Sequence, residues 1–327
     1  MPEPAGDPKA QNAIVSANGY PFPDKRNRDL LQLQYQNMTS TLSIFANINF
    51  TETGNTYRDD VKTDDDTGWY PGATNDSQGY YLFPTTNTKN GGYQRPDGTT
   101  NTSKYVVPTS QQSFFNNLKA AAIILNKTDA IITGTEIGGF DTHQTEGGVT
   151  GTHANLQQVI GWSMYALRKY FTLYADKATW NNVVVVTLSE FGRTSVENSD
   201  RGTDHAEAGA MFVSGGAVQG YGKGSKTTGV YGCSTTDSIP WIPGPRTSSL
   251  ATCGTMFAAN TGVTAGYLRR STDYRSVLGE VIRNHLGASS GQLGRIIPGY
   301  AVAGENLQAG GTSSIDGVQI RGEPGLV

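Results

Sequence analysis

The stretch Trp180-Asn-Asn-Val-Val-Val-Val-Thr-Leu-Ser-Glu-Phe-Gly-Arg-Thr194 decides how the chain is read. Its centre, Val183 to Leu188, is a continuous β-branched and apolar run without alternation. Such a run predicts a strand buried on both faces, as in a parallel sheet covered by helices. Upstream of it, Thr152 to Ala175 carries Leu156, Val159, Ile160, Leu167, Tyr170, Phe171 and Tyr174 at helical spacing, which predicts a long amphipathic helix. Further back, Ala130-Ile-Ile-Thr-Gly-Thr135 reads as a second short strand. Before it, Phe114, Phe115, Leu118, Ala121, Ala122 and Leu125 form one apolar helical stripe. Helix, strand, long helix, strand is the order of an α/β layer fold with a right-handed crossover.

In such folds ligands sit beyond the carboxyl ends of the strands. The first strand leads into Gly138-Gly-Phe-Asp-Thr-His143, and the second into Ser189-Glu-Phe-Gly-Arg-Thr194, with Gly202-Thr-Asp-His-Ala206 a few residues on. Asp141, His143 and Glu190 are thereby brought to one surface, and Asp204 with His205 sits on a loop that can return to it. Carboxylate oxygens and imidazole nitrogens that converge suit a divalent cation: zinc, manganese, magnesium or calcium. The candidate metal residues are therefore Asp141, His143, Glu190, Asp204 and His205. Arg193 adds a planar fork of donors suited to a phosphate or sulfate oxyanion. Glycines beside each cluster allow close backbone approach.

Other motifs carry less. Ser189 stands outside any G-x-S-x-G elbow. Asp64-x-Asp66-x-Gly68 lacks the later Glu of a calcium loop and reads as a solvated acidic turn. His153 reads as a polar residue in the first turn of the long helix, and His285 as a boundary residue of the last one.

Working outward, Asp29 to Ile48 predicts a weakly amphipathic helix, and residues 51–110 are so dense in Gly, Asp, Asn, Thr and Pro that no period survives. The expected division is a polar N-terminal segment with an irregular insertion over 1–110 and an α/β core over 111–327. Ala210 to Ser214 reads as a further short strand. Asp273 is placed to N-cap a helix carrying Val277, Leu278, Val281, Ile282 and Leu286, with Gly287 as its terminator. Cys233 and Cys253 are expected to close a disulfide across a loop of low periodicity, worth about 3 kcal/mol and implying an oxidising compartment.

The quoted motifs resemble a known family. SFFNNLKAAAIILN leading into IGGFDTH, then WNNVVVVTLSEFGRT, GTDHAEAGAMFVSGGAV and STDYRSVLGEVIRNHLG are similar in order and spacing to domain-of-unknown-function family 1501, placed in the alkaline phosphatase/sulfatase superfamily. The resemblance implies an alkaline-phosphatase-like, mostly parallel sheet with helices on both faces. It also implies hydrolysis of a phosphate or sulfate ester with one or two metal ions and a Ser, Thr or modified Cys nucleophile. By position, Asp141 and His143 stand where that superfamily has an Asp and a nearby His ligand before the long helix. Ser189-Glu190 takes the place of an Asp-His pair, and His205 stands for the last metal-binding histidine. By the resemblance, the family's N-terminal portion, with an export signal and the nucleophile region, is expected to be missing from this chain. The expectation is a C-terminal portion, a split product or a shortened paralogue, served by a complementary N-terminal portion or by self-assembly.

Composition bounds the partners. Across 327 residues, 25 Lys+Arg against 28 Asp+Glu leave no basic excess to neutralise a nucleic-acid backbone. No apolar run is long enough to span a membrane, and the first residues show no signal peptide. A surface rich in Thr, Ser, Asn, Gly and Tyr but poor in charge favours an exported protein, in the periplasm, at the cell surface or outside the cell. Two functions follow as expectations: an exported metal-dependent hydrolase acting on a small-molecule or polymer ester, or a non-catalytic surface or assembly protein with a degenerate metal site.

Overall fold

A computed structural model describes residues 25–46, 48, 58–59, 80–83, 109–220, 229, 231, 268, 270–302, 305–315 and 318–327. In chain order the elements are α1 (Lys25–Phe45), β1 (Arg58–Asp59), β2 (Tyr80–Tyr81), α2 (Thr109–Lys127), α3 (Thr152–Leu173), β3 (Val184–Val186), β4 (Gly192–Arg193), β5 (His205–Ala206) and β6 (Val213–Gly215). They are followed by α4 (Tyr274–Glu280), which runs into a π turn over Val281–His285, then α5 (Ser290–Ile296), β7 (Ala301–Val302), β8 (Glu305–Asn306), β9 (Thr312–Ile315) and β10 (Val318–Arg321).

The two central helices form because their apolar residues recur at helical spacing, and they bury those stripes against each other. Phe114, Phe115, Leu118 and Ala122 of α2 join Val159, Trp162, Ala166, Leu167, Tyr170 and Phe171 of α3 in the main core, together with Leu82 and Phe83. The Trp162 indole N–H, which would be costly to bury unpaired, donates to the Leu82 carbonyl at 3.0 Å. Asn126, fully buried, ends α2 and organises the turn after α3. Its amide donates to Tyr174 O at 2.8 Å and Tyr170 Oη at 3.2 Å, and its carbonyl accepts from the Asp176 and Ala178 N–H groups. That turn delivers the chain to β3.

Helix and strand are mixed as expected, but among the described residues no mostly parallel sheet forms, and the sheets are small and antiparallel. Among the described residues every strand pair is antiparallel: β1–β2, β3–β6, β4–β5, and a four-stranded sheet in the order β10-β9-β8-β7. β3 has β6 as its neighbour, with Val184 opposite Gly215 and Val186 opposite Val213, and its valines are only half-buried. The 130–135 segment is not in a ladder, and Ile131 and Ile132 are 73% and 69% exposed. A run of β-branched residues fits any half-buried pleat, so it does not by itself distinguish parallel from antiparallel pairing.

α4 starts as expected: Asp273 accepts from the Arg275 N–H at 2.8 Å as N-cap, and Gly287 takes the left-handed conformation after the π turn. A second core of Leu293, Tyr300, Leu307 and Ile320 lies beneath the C-terminal sheet. The tail returns across α4, where the Glu280 carboxylate accepts from the backbone N–H groups of Gly325, Leu326 and Val327. The Gln219 N–H donates to Leu326 O at 2.7 Å and ties the tail to the chain just after β6. Cys233, Cys253 and Asp64–Gly68 lie outside the described residues, as does most of the 51–110 segment.

Candidate metal centre

Two segments build the site, 138–146 before α3 and 190–206 around the β4–β5 hairpin. They are stitched main chain to main chain: the Thr203 N–H donates to Thr142 O at 3.0 Å, Thr145 to Asp200 O at 3.0 Å, and Glu146 to Arg201 O at 2.8 Å. Gly202 permits this approach, because a Cβ there would stand 2.2 Å from the His143 carbonyl carbon. In the hairpin Arg193 pairs with His205, so both side chains are carried by one register position.

Three donor atoms converge. Asp141 Oδ1 lies 3.0 Å from His143 Nε2 and 2.8 Å from His205 Nε2, and the two imidazole nitrogens are 3.1 Å apart. Adjacent ligands at right angles around an ion about 2.1 Å away are separated by about 3.0 Å, so these spacings fit one face of a small divalent cation's shell. The donor set, two imidazoles and a carboxylate, is one that zinc, manganese and iron accept. The residues fit a metal.

Around the three donors the chain fixes their orientation. Asp204 Oδ1 stands 3.3 Å from His143 Nδ1, the ring nitrogen opposite the cluster. A proton held on Nδ1 by that carboxylate leaves the Nε2 lone pair turned to Asp141 and His205. The Phe191 ring stacks on His205 with centroids 4.0 Å apart. Arg193, 12% exposed, donates from Nη1 to Asp141 Oδ1 at 2.6 Å, from Nε to Thr203 Oγ1 at 3.0 Å, and from Nη2 to Thr203 O. Thr203 in turn donates its hydroxyl to Glu146 Oε2 at 3.1 Å. The hydrogen bond from His205, reinforced by Arg193, holds the Asp141 carboxyl below the ordinary aspartate range against the opposing effect of desolvation. Asp204 is likewise held low, by the amide of Asn198 first and by His143 next.

The residues expected from the sequence therefore separate into three positions. Asp141, His143 and His205 meet; Asp204 lies behind His143, on the far side of its ring; Glu190 is exposed and lies outside the three-donor group. Arg193 reaches the cluster, but through Asp141. His153 sits in the first turn of α3, 3.6 Å from Glu146, and is no part of the cluster. Asn198, Thr203, Glu146 and Phe191 join the site without a motif to announce them, although the Asn198-x-Asp-x-Gly202 composition signals a side-chain-capped turn.

Asp141, His143 and His205 thus form a candidate metal-binding group of two histidines and one carboxylate. Residues 95–231, which contain all of it, match the model of a family described as protein of unknown function (DUF1501), the family the motifs resemble. No curated protein and no solved structure matches the chain.

Proposed function

We propose that the chain is an exported, metal-dependent hydrolase-like protein acting on a phosphate or sulfate ester, with Asp141, His143 and His205 as metal ligands. One observation carries the reading: three lone-pair donors from two separate segments meet with every separation at or below 3.1 Å. Two imidazole nitrogens face to face repel unless a cation or a proton lies between them, and the Asp204 contact assigns the His143 proton to its other nitrogen. When bound, a divalent cation supplies the charge that polarises an ester oxygen and acidifies a water molecule. Asp141 and the two histidines hold and orient that charge. Asp204 keeps His143 in the ligating tautomer. Arg193, pinned by Thr203 beside Asp141, offers a fixed positive charge to the anionic group of the ester. Export rests on the weakly charged, hydroxyl-rich composition; no described helix is long and apolar enough to cross a membrane.

The test is elemental analysis of the purified protein with assays on generic aryl phosphate and sulfate esters, before and after chelation. The expected result is stoichiometric divalent metal, ester hydrolysis lost on chelation and restored by metal, and both lost in His143→Ala and His205→Ala. Absence of metal together with absence of hydrolysis overturns the reading. Metal binding without hydrolysis favours the non-catalytic surface or assembly protein.

A further inference from the structure

The turn that carries Asp204 is built around a single side chain. The Asn198 carbonyl oxygen accepts from the backbone N–H groups of Asp200 and Gly202, each at 3.0 Å. Its amide nitrogen donates at 3.0 Å to the main-chain carbonyl of His143 and at 3.0 Å to Asp204 Oδ1. That same Oδ1 faces the Nδ1 of the His143 ring. One amide thus grips His143 at its backbone and, through Asp204, at its ring. The turn it caps is an unusual one, with Arg201 at φ +61°. A non-glycine residue in that region persists only where its surroundings over-determine it, and such residues gather at functional sites.

From this geometry we infer that Asn198 is a positioning residue of the metal centre, one that sets the orientation of the ligand His143 by bridging its carbonyl to the Asp204 carboxylate. The inference rests on the metal-site reading above and deepens it. The two halves of the amide do separable work. The oxygen shapes the turn, which any short acceptor side chain can do. The nitrogen alone makes the bridge, and it alone needs to be an amide. Without it, Asp204 and the His143 carbonyl lose the donor between them, and Asp204, the ring's partner at Nδ1, is no longer held in place. Outer partners of metal-bound histidines act in this way, and their loss typically lowers metal affinity by about 10- to 100-fold.

Asn198→Asp isolates the second role. The substituted side chain keeps an oxygen for the Asp200 and Gly202 N–H groups but places a second oxygen against two acceptors. Titration with Co²⁺, followed by its d–d absorption bands, reads both affinity and ligand environment. Denaturant unfolding of the metal-free proteins and ¹⁵N shifts of the His143 ring complete the measurement. The expected outcome is Co²⁺ affinity reduced by about 10- to 100-fold, a His143 ring no longer held in the Nδ1–H tautomer, and an unfolding midpoint close to that of the unaltered chain. Asn198→Ser, which keeps a shorter acceptor for the turn and has no amide, is expected to lose affinity in the same way and serves if the aspartate variant does not fold. Unaltered protein that binds Co²⁺ through His143, with both variants binding within threefold of it, overturns the positioning role and leaves the metal site standing. Unaltered protein that binds no Co²⁺, or binds it equally well after His143→Ala, overturns the metal reading and the positioning role with it.

Discussion

Asp141 and Glu280 are both carboxylates against which other parts of the chain gather, and they are opposites. Asp141 is exposed, shares one oxygen with two imidazoles and a guanidinium, and is held below the ordinary aspartate range chiefly by the hydrogen bond from His205. Glu280 is 1% exposed, takes three backbone N–H groups, and is pushed above the ordinary glutamate range by burial. At Glu280 each partner is a main-chain donor of the C-terminal tail, and the buried one belongs to Leu326, so the carboxylate completes the fold. At Asp141 the partners are side chains, the Arg193 guanidinium and the His143 and His205 rings, gathered at one exposed oxygen where a cation could join them. The difference separates a polar cluster that closes the fold from one proposed to hold a ligand.

The largest effect expected from this contrast lies at the structural end. Glu280→Ala leaves the N–H groups of Gly325, Leu326 and Val327 without acceptors, Leu326 being buried. An unsatisfied buried donor costs about 1–3 kcal/mol, and the loss of stability is expected to fall in that range. Denaturant unfolding measures it, and hydrogen exchange at 325–327 localises it. Metal affinity is expected to stay unchanged. A variant of equal stability would erase the distinction drawn between the two carboxylates.

The second expectation concerns pH, where the two carboxylates respond in opposite senses. Asp141 and Asp204 titrate in the folded chain below their ordinary value of 3.8. Their contribution is present above that value and is lost as pH falls through the lowered ones. Glu280 titrates above its ordinary value of 4.5. Its contribution is present below 4.5 and is lost as pH rises through the raised value, because ionising it in the core is disfavoured. Hydrogen exchange followed from pH 3 to 8, corrected for intrinsic rates, is expected to show protection at 325–327 weakening on the alkaline side. Protection at 142–146 and 200–203 is expected to weaken on the acid side. Parallel behaviour of the two regions would sink the assignment.

The sequence carries much of this, unevenly. The stripes of α2 and α3 are legible because a 3.6-residue period sustained over four or more turns is the mark of a helix with one buried face. Asp273 and Gly287 are legible because cap chemistry is local. The sheet is not: a valine run reports that a strand fits a pleated surface and says nothing of its neighbour's direction. Ile131 and Ile132 are apolar yet exposed, and no pattern around them warns of it. At the site, Asp141 and His143 are legible as residue types placed just after an apolar run, and His205 as a residue on a loop that can return to them. Asp204 is legible as a participant but not as the partner of the far nitrogen, because spacing along a chain does not say which side of a ring it approaches. The chain bends at Glu190 and Phe191 before β4, so it is Phe191 and Arg193 that touch the cluster. Asn198 acts through four hydrogen bonds across a folded turn, an arrangement no linear spacing encodes.

Phe191 offers the finest test of the contrast, since its contact with the site is by ring face rather than by charge. Its ring lies 22° from parallel with His205 and also beneath the Arg193 guanidinium, at 5.7 Å from the ring centroid. Aromatic contacts of this kind are worth about 0.5–1.5 kcal/mol, and each 1.4 kcal/mol is a tenfold change in affinity. Phe191→Leu keeps the apolar cover and removes the stacking. Co²⁺ affinity is therefore expected to fall by about threefold, and by no more than about tenfold, while the unfolding midpoint stays close to that of the unaltered protein. A loss as large as that expected for Asn198→Asp would mean that His205 is oriented mainly by its stacked neighbour. The centre would then depend on an aromatic wall on the His205 side as heavily as on the amide bridge on the His143 side.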